Sequence, residues 1–553
     1  LAVSILTLLI GINYIIVCKY FPNGGGVYAS LRRHSEVISL LGAFFLLADY
    51  IITAALSAMA AFQYLGVPHP TLYTIIAILL IGGLNYWGPR RSGQYAFGIA
   101  VASVLILVIL FGFSIRHLLE GWHNLVPLSG KIKPDWIAFT GVVLTLSGIE
   151  SAASMTAVFR LDPGASEKEP RVVKIASKAI WFSVIEAAFF TSFFTLMLTS
   201  INGLVLKEGN VETAQGLLVR DSAFRFLGST FVGEILGPTF GYAFGLILAI
   251  FFGVLLLSAV NTSINSMINL FYLMAEDGEL PRNFKSMNQF GVPKLPLIIA
   301  TLLPLIVLLV VDNIAILASL YAAGFVGAIT MNLGATSVDK KLPLKRIERI
   351  LLAFSALIMF FIEATIFVTK IHAVVYLLSI IVIGLVLRGL AVEAKGRKKS
   401  TFVLDKDVKL TPFSELSGQG GALCIVKGRG QALKLAKEWA QEHKEPLSFL
   451  FICEQRVMSD LDVGRIAQND PNAVKLFNTL HKELEGIRAN FSYIVTDVTA
   501  FTISNTACRM KAKVVFMDLP RRGIVAQLLR GDTIREIWKM MPEEIDLFIL
   551  PTL

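Results

Sequence analysis

The stretch LGAFFLLADYIITAALSAMAA, residues 41–61, is apolar enough to cross a bilayer and carries an acid near its middle. A helix of about 20 residues spans a hydrocarbon core of roughly 30 Å. Asp49 therefore sits deep in the apolar layer unless it faces protein or water. A charge there costs about 3 kcal/mol even on the mildest insertion scale, so an intramembrane acid marks a functional site by default. At about 100° per residue, Asp49, Thr53 and Ser57 share one helix face, with Tyr50 at its edge. The result is a column of oxygens. Taken alone, Asp49 also fits a structural role, as an acid buried against another helix and either ion-paired or neutral.

The whole chain has the composition of that stretch. Its 553 residues are 55% hydrophobic and only 16% charged, with a mean hydropathy of +0.68, whereas soluble domains carry about a quarter charged residues. It reads as a polytopic membrane protein. The net charge of +10 is then explained by basic loops on one side of the membrane rather than by nucleic acid. Cys18, Cys424, Cys453 and Cys508 show no paired spacing, and the seven histidines are scattered, so neither a disulfide framework nor a zinc site follows. No Walker A sequence, nucleophile elbow or HExxH motif is present, which argues against an enzyme.

Apolar segments fall near 1–18, 37–62, 71–88, 95–115, 134–158, 175–201, 236–270, 294–311, 314–335, 349–369 and 372–391. Basic residues sort onto alternate connections: Lys19 to Arg33, Arg90 and Arg91, Arg160 to Lys178, Arg282 to Lys294, Lys340 to Arg349, and Arg397 to Lys399. The other connections are nearly uncharged or, as in Lys207 to Arg225, mixed in sign. The positive-inside rule makes the basic set cytoplasmic, which places the C-terminus inside and Leu1 outside. The chain opens within an apolar run, with neither a basic leader nor a cleavage site, so a further membrane helix is expected to precede it.

Three further stretches bear on chemistry. The loop FPNGGGVYASLRR carries Gly24 to Gly26, which permit tight backbone approach but serve equally in an ordinary loop. In the fifth segment, Ser147-Gly148-Ile149-Glu150-Ser151 is small, polar and acidic where a spanning helix should be most apolar. Transporters with inverted repeats place their sites at such interruptions. Close helix packing would account for Gly148 and Ser151, but it leaves Glu150 unexplained. Ser258, Asn261, Asn265 and Asn269 form a polar stripe suited to interhelical hydrogen bonds, and Glu186 and Glu363 are further acids in apolar runs.

After Lys399 the pattern becomes soluble. Strands near GALCIVKG, LSFLFICEQ, FSYIVTDV, VVFMDLP and DLFIL alternate with helices, which predicts a doubly wound parallel sheet. The expected organisation is a transmembrane domain over 1–395, a linker over 396–419 and a cytoplasmic α/β domain over 420–553.

The loop FPNGGGVYASL, the interrupted SGIESAAS, the turn FYLMAEDGELPRNF and LYAAG together resemble the amino acid–polyamine–organocation superfamily over the membrane part. The resemblance implies a LeuT-like fold of twelve helices in two inverted repeats of five plus two, eleven of them present here and the first missing. Within that superfamily, ADYIITAALSA followed by SGIE is most similar to the KUP-type potassium importers of the KimA kind. Carried over by position, the resemblance makes Asp49, Tyr50, Thr53, Ser57, Ser147, Gly148 and Tyr321 the residues lining the ion path, and Glu150 the proton carrier. A potassium ion would then be held by Asp49, Thr53, Ser57 and Glu150.

The C-terminal domain is similar to universal stress protein domains. That likeness permits a regulatory nucleotide and a homodimer through the domain, although the nucleotide motif is present only in the degenerate form RRGIVAQLLRGDT. No resident cofactor is implied. The resemblance thus predicts proton-coupled potassium uptake across the cytoplasmic membrane. An amino acid permease is the alternative, and a sensor with a vestigial membrane part is a third reading that Glu150 speaks against.

Overall fold

The structure is a computed structural model and describes residues 2–22, 26–32, 34–88, 92–125, 129–142, 162–163, 165, 171–207, 210–213, 219, 222–311, 313–395, 408, 410–411, 413–426, 428, 430–454, 470–484, 488–496, 498–519 and 532–551. The chain divides into two compact units. One comprises 1–82, 94–274 and 296–389, and the other comprises 83–93, 275–295 and 390–553.

The apolar segments are helices. In chain order they are α1 (Ala2–Tyr20), the short α2 (Val27–Arg32), α3 (Glu36–Leu65), α4 (Pro70–Asn85), α5 (Ser92–Ser114), the short α6 (Leu118–His123), α7 (Ile132–Gly141) and α8 (Val173–Thr199). A hairpin of β1 (Leu204–Lys207) and β2 (Asn210–Thr213) comes next, then α9 (Ala223–Leu236), α10 (Pro238–Glu276), α11 (Lys294–Val310), α12 (Ile314–Val338), α13 (Arg346–Thr369) and α14 (Ile371–Lys395). Among the described residues, eight helices are long and apolar enough to cross a membrane, while α4 and α11 are shorter. The fifth apolar segment is described only as far as Val142. The connection between α8 and α10 holds the hairpin, which its mixed-sign sequence does not announce, and α9, whose apolar run is shorter than a membrane span.

Two kinds of contact hold the membrane unit together. Around α5, α8, α9 and α10 the contacts are phenylalanine rings: Phe111 lies 4.5 Å from Phe193, and Phe224 stacks on Phe252 at 4.8 Å. Between α1 and its neighbours they are small or polar. Asn13 donates to Ser355 at 2.6 Å, Ser4 bonds Ser192 at 2.6 Å, and Gly11 leaves room for the side chain of Val184. Small and hydrogen-bonding residues are what brings helices close when the surrounding lipid removes the hydrophobic drive between them. The opposite faces are oily: Leu105, Phe182, Phe240 and Phe354 are all more than half exposed.

The second unit contains β3 (Ala422–Val426), α15 (Gln431–His443), β4 (Leu447–Glu454), α16 (Pro471–Glu483), β5 (Ala489–Thr496), α17 (Thr499–Met510), β6 (Val514–Asp518), α18 (Thr533–Met540) and β7 (Asp546–Leu550). The strands are parallel, in the order β5-β4-β3-β6-β7. Strand order reverses after β5, so helices cover both faces and each face has its own core. Ala436 and Phe477 lie under α15 and α16, and Ile503 and Ile537 lie under α17 and α18. The domain also takes in residues of the stretch expected as linker. The Thr411 N–H donates to the Phe491 carbonyl at 2.7 Å along the β5 edge, Leu416 is buried in one core, and the Gly418 and Gly420 N–H groups bond the last turn of α17.

Gly430, just before α15, sits against the Asp518 carboxylate at the end of β6, and Asp518 Oδ1 accepts from the Ala432 N–H at 3.0 Å. A methyl at Gly430 would run into that carboxylate. Gly430→Ala is therefore expected to destabilise the domain by about 1–3 kcal/mol. A lowered thermal transition of the full chain, followed through Trp439 fluorescence, would report the loss.

Candidate functional site

Helix α3 begins after Ser35 in extended backbone and ends at Gly66, whose φ of 69° lets its N–H turn back onto the Phe62 and Gln63 carbonyls. Only glycine adopts that left-handed cap at no steric cost. Along the helix, Asp49 and Tyr50 are buried, at 1% and 6% exposure. Thr53 Oγ donates to the Asp49 carbonyl at 2.8 Å and lies 3.2 Å from Asp49 Oδ1. The helical spacing thus places the hydroxyl beside the carboxylate. Ser57, half-buried, continues the column one turn further on.

Glycines on two other helices make room for this part of α3. A Cβ at Gly324 of α12 would stand 2.7 Å from the Asp49 nitrogen and 3.0 Å from its Cα, so the two backbones touch at the acid. One turn later Gly327 receives the ring of Phe45, and Gly384 of α14 receives the ring of Phe44. Tyr321, one turn before Gly324, is buried and stacks on Phe325 at 5.7 Å. From α14, the Tyr376 hydroxyl donates to the Ala48 carbonyl at 3.0 Å, the residue next to Asp49.

The structure thus sets Asp49, with Thr53 beside it and Tyr50 next to it on α3, against Gly324 of α12, one turn from Tyr321. It adds Tyr376, which sequence reasoning missed because a lone tyrosine in an apolar run carries no periodic signal. Ser147, Gly148 and Glu150 lie outside the described residues, as do Gly24 and Gly25 and most of RRGIVAQLLRGDT.

Other candidates resolve differently. The stripe on α10 bonds along its own helix, with Asn265 Nδ2 donating to the Asn261 carbonyl at 2.8 Å, and Asn269 is exposed. Glu363 is buried at 7% exposure, and neither carboxylate oxygen has a hydrogen-bond partner among the described residues. Glu186 is half-buried. Among the described residues no three His, Cys, Asp or Glu side chains cluster as metal ligands.

In the α/β domain, the strand carboxyl ends carry Asp518 on the α15 N-terminus, and Glu454, whose Oε1 accepts from Thr499 Oγ at 2.6 Å. Burial pushes the Cys424 thiol and the Tyr493 hydroxyl up, leaving both neutral at physiological pH.

Comparison with known proteins bears on the membrane part. Three crystal structures of a manganese transporter from Eremococcus coleocola, one of them in complex with an aromatic bis-isothiourea substituted compound and two of them mutants, align over 71% of this chain and 87% of theirs, at 12–13% identity and TM-scores of 0.44–0.45. No curated protein matches the chain. A family model described as amino acid permease matches residues 1–388. With eight helices among the described residues long and apolar enough to cross a membrane, and that match over residues 1–388, the chain belongs to the amino acid permease family of membrane transporters.

Proposed function

We propose that the chain takes up potassium coupled to protons across the cytoplasmic membrane, with its C-terminal domain in the cytoplasm. The observation that carries this is the buried Asp49 carboxylate with the Thr53 hydroxyl 3.2 Å away, set where α12 meets α3 and brings Tyr321. Carboxylate, hydroxyl and carbonyl oxygens are the ligands a hard cation takes. In this reading Asp49, Thr53 and Ser57 hold the ion, Tyr50, Ser147, Gly148 and Tyr321 shape its path, and Glu150 gains and loses the coupled proton during alternating access. The transporter follows the inverted-repeat scheme its likeness to LeuT-like proteins implies.

The C-terminal domain is a regulatory module of the universal-stress-protein kind, and it pairs two copies of the chain. Asp518 already occupies the α15 N-terminus, which argues against a phosphate at that helix.

Amino acid transport is the second reading, and the family's description favours it. Growth decides between the two. In a bacterial strain without potassium importers of its own, the protein is expected to restore growth at limiting potassium. Absence of rescue despite good expression, together with uptake of labelled cationic or neutral amino acids, would establish the second reading instead. Glu150→Gln is expected to retain ion exchange while losing uphill uptake driven by a pH gradient. Unchanged pH dependence in that variant would remove Glu150 as the proton carrier.

A further inference from the structure

The connection between α12 and α13, Asp339 to Lys345, lies at the shared end of two helices long enough to span a bilayer, so it stands at headgroup level. It is tightly built. Leu342 is buried, the Lys341 N–H bonds Asp339 Oδ1 at 2.8 Å, and the Tyr20 hydroxyl bonds the Pro343 carbonyl at 3.1 Å.

Glu348 is already engaged by α1 and by the loop backbone. Its Oε1 accepts from Lys19 Nζ at 2.8 Å, and its Oε2 accepts from the Tyr20 hydroxyl at 2.8 Å and the Lys345 N–H at 2.9 Å. Lys340, Lys341, Lys345 and Arg346 are exposed, and among the described residues none of their side chains forms an ion pair. Beside them Ile347 is 79% exposed and Ile350 59%. Four unneutralised cations on a fixed loop, next to isoleucines that face outward, complement a surface that is anionic at its phosphates and apolar just below.

We propose that this connection is a docking surface for anionic phospholipid headgroups, with Lys340, Lys341, Lys345 and Arg346 on the phosphates and Ile347 and Ile350 among the upper acyl carbons. The attraction is the ordinary one between juxtamembrane cations and acidic lipid. What the fold adds is that both carboxylates near those cations are engaged inward: Glu348 is held by Lys19 and Tyr20, and Asp339 is buried at 5% exposure with Oδ1 on the Lys341 N–H.

The test is lipid retention. The full chain in a neutral detergent is mixed with equal amounts of phosphatidylglycerol and phosphatidylcholine of the same acyl chains, repurified, and its bound lipid quantified by mass spectrometry. Wild type is expected to retain phosphatidylglycerol in excess. The combined Lys340→Gln, Lys341→Gln, Lys345→Gln and Arg346→Gln variant should lose that excess about tenfold, with phosphatidylcholine unchanged.

The same excess on wild type should collapse between about 0.1 M and about 1 M salt, since exposed charges are screened over that range. This arm needs no substituted protein. Phosphatidylglycerol retention that withstands both neutralisation and salt would overturn the proposal. So would its displacement by inorganic phosphate at matched ionic strength, which would make free phosphate the ligand.

Discussion

Asp49→Asn is expected to remove potassium uptake while leaving the amount of protein in the membrane near that of wild type. Asparagine keeps the shape of the side chain and a hydrogen-bonding oxygen for Thr53, whose hydroxyl stands 3.2 Å from Asp49 Oδ1. What it deletes is the charge. An interaction with a charged group is worth about 1.5–3 kcal/mol, so the initial uptake rate at limiting potassium should fall by about 10- to 100-fold. A merely structural Asp49 predicts the reverse pattern, with low expression and a broadened size-exclusion profile, and transport per folded molecule intact. Thr53→Val, which removes only the hydroxyl, should reduce affinity for the ion and leave maximal uptake less affected.

Gly324→Ala should damage the protein through packing alone. The added carbon would stand 2.7 Å from the Asp49 nitrogen and 3.0 Å from its Cα, and both are backbone atoms that no rotamer change can move aside. Overpacking typically costs about 1–3 kcal/mol, and a clash against backbone belongs at the upper end. The detergent-solubilised variant is therefore expected to unfold at a lower temperature and to lose uptake as well, because relief of the clash must shift α3 at its acid. Gly112→Ala is the matched control: nothing lies within 4 Å of its added carbon, and the position is exposed. An equal loss of stability in both variants would mean that the contact at Asp49 is not the cause.

The fold was largely legible because hydropathy is a long-range average. Each apolar segment is a helix where described, and strand–helix alternation after residue 420 forecast the parallel sheet. The hairpin escaped notice because its mixed charge reads as loop, and α9 because its apolar run is shorter than a membrane span, although a phenylalanine-rich core beneath holds it in place. Residues 408–420 were also obscure as part of the sheet domain, since an edge bridge at Leu410 and Thr411 is too short to show a period of two.

Within the site, helical arithmetic placed Thr53 on Asp49, because both lie on one helix. Which helices flank that face is a tertiary matter, and nothing in the spacing of Gly324 or Tyr376 assigns them to Asp49. Glycine in a membrane helix signals a close approach without naming the partner.

The notches at Gly324, Gly327 and Gly384 work as a keyway. Slide α3 along α12 by one turn toward the start of α12, and the side chain of Tyr321 would meet the Asp49 backbone where now there is only hydrogen. The acid's height in the membrane is thus indexed mechanically.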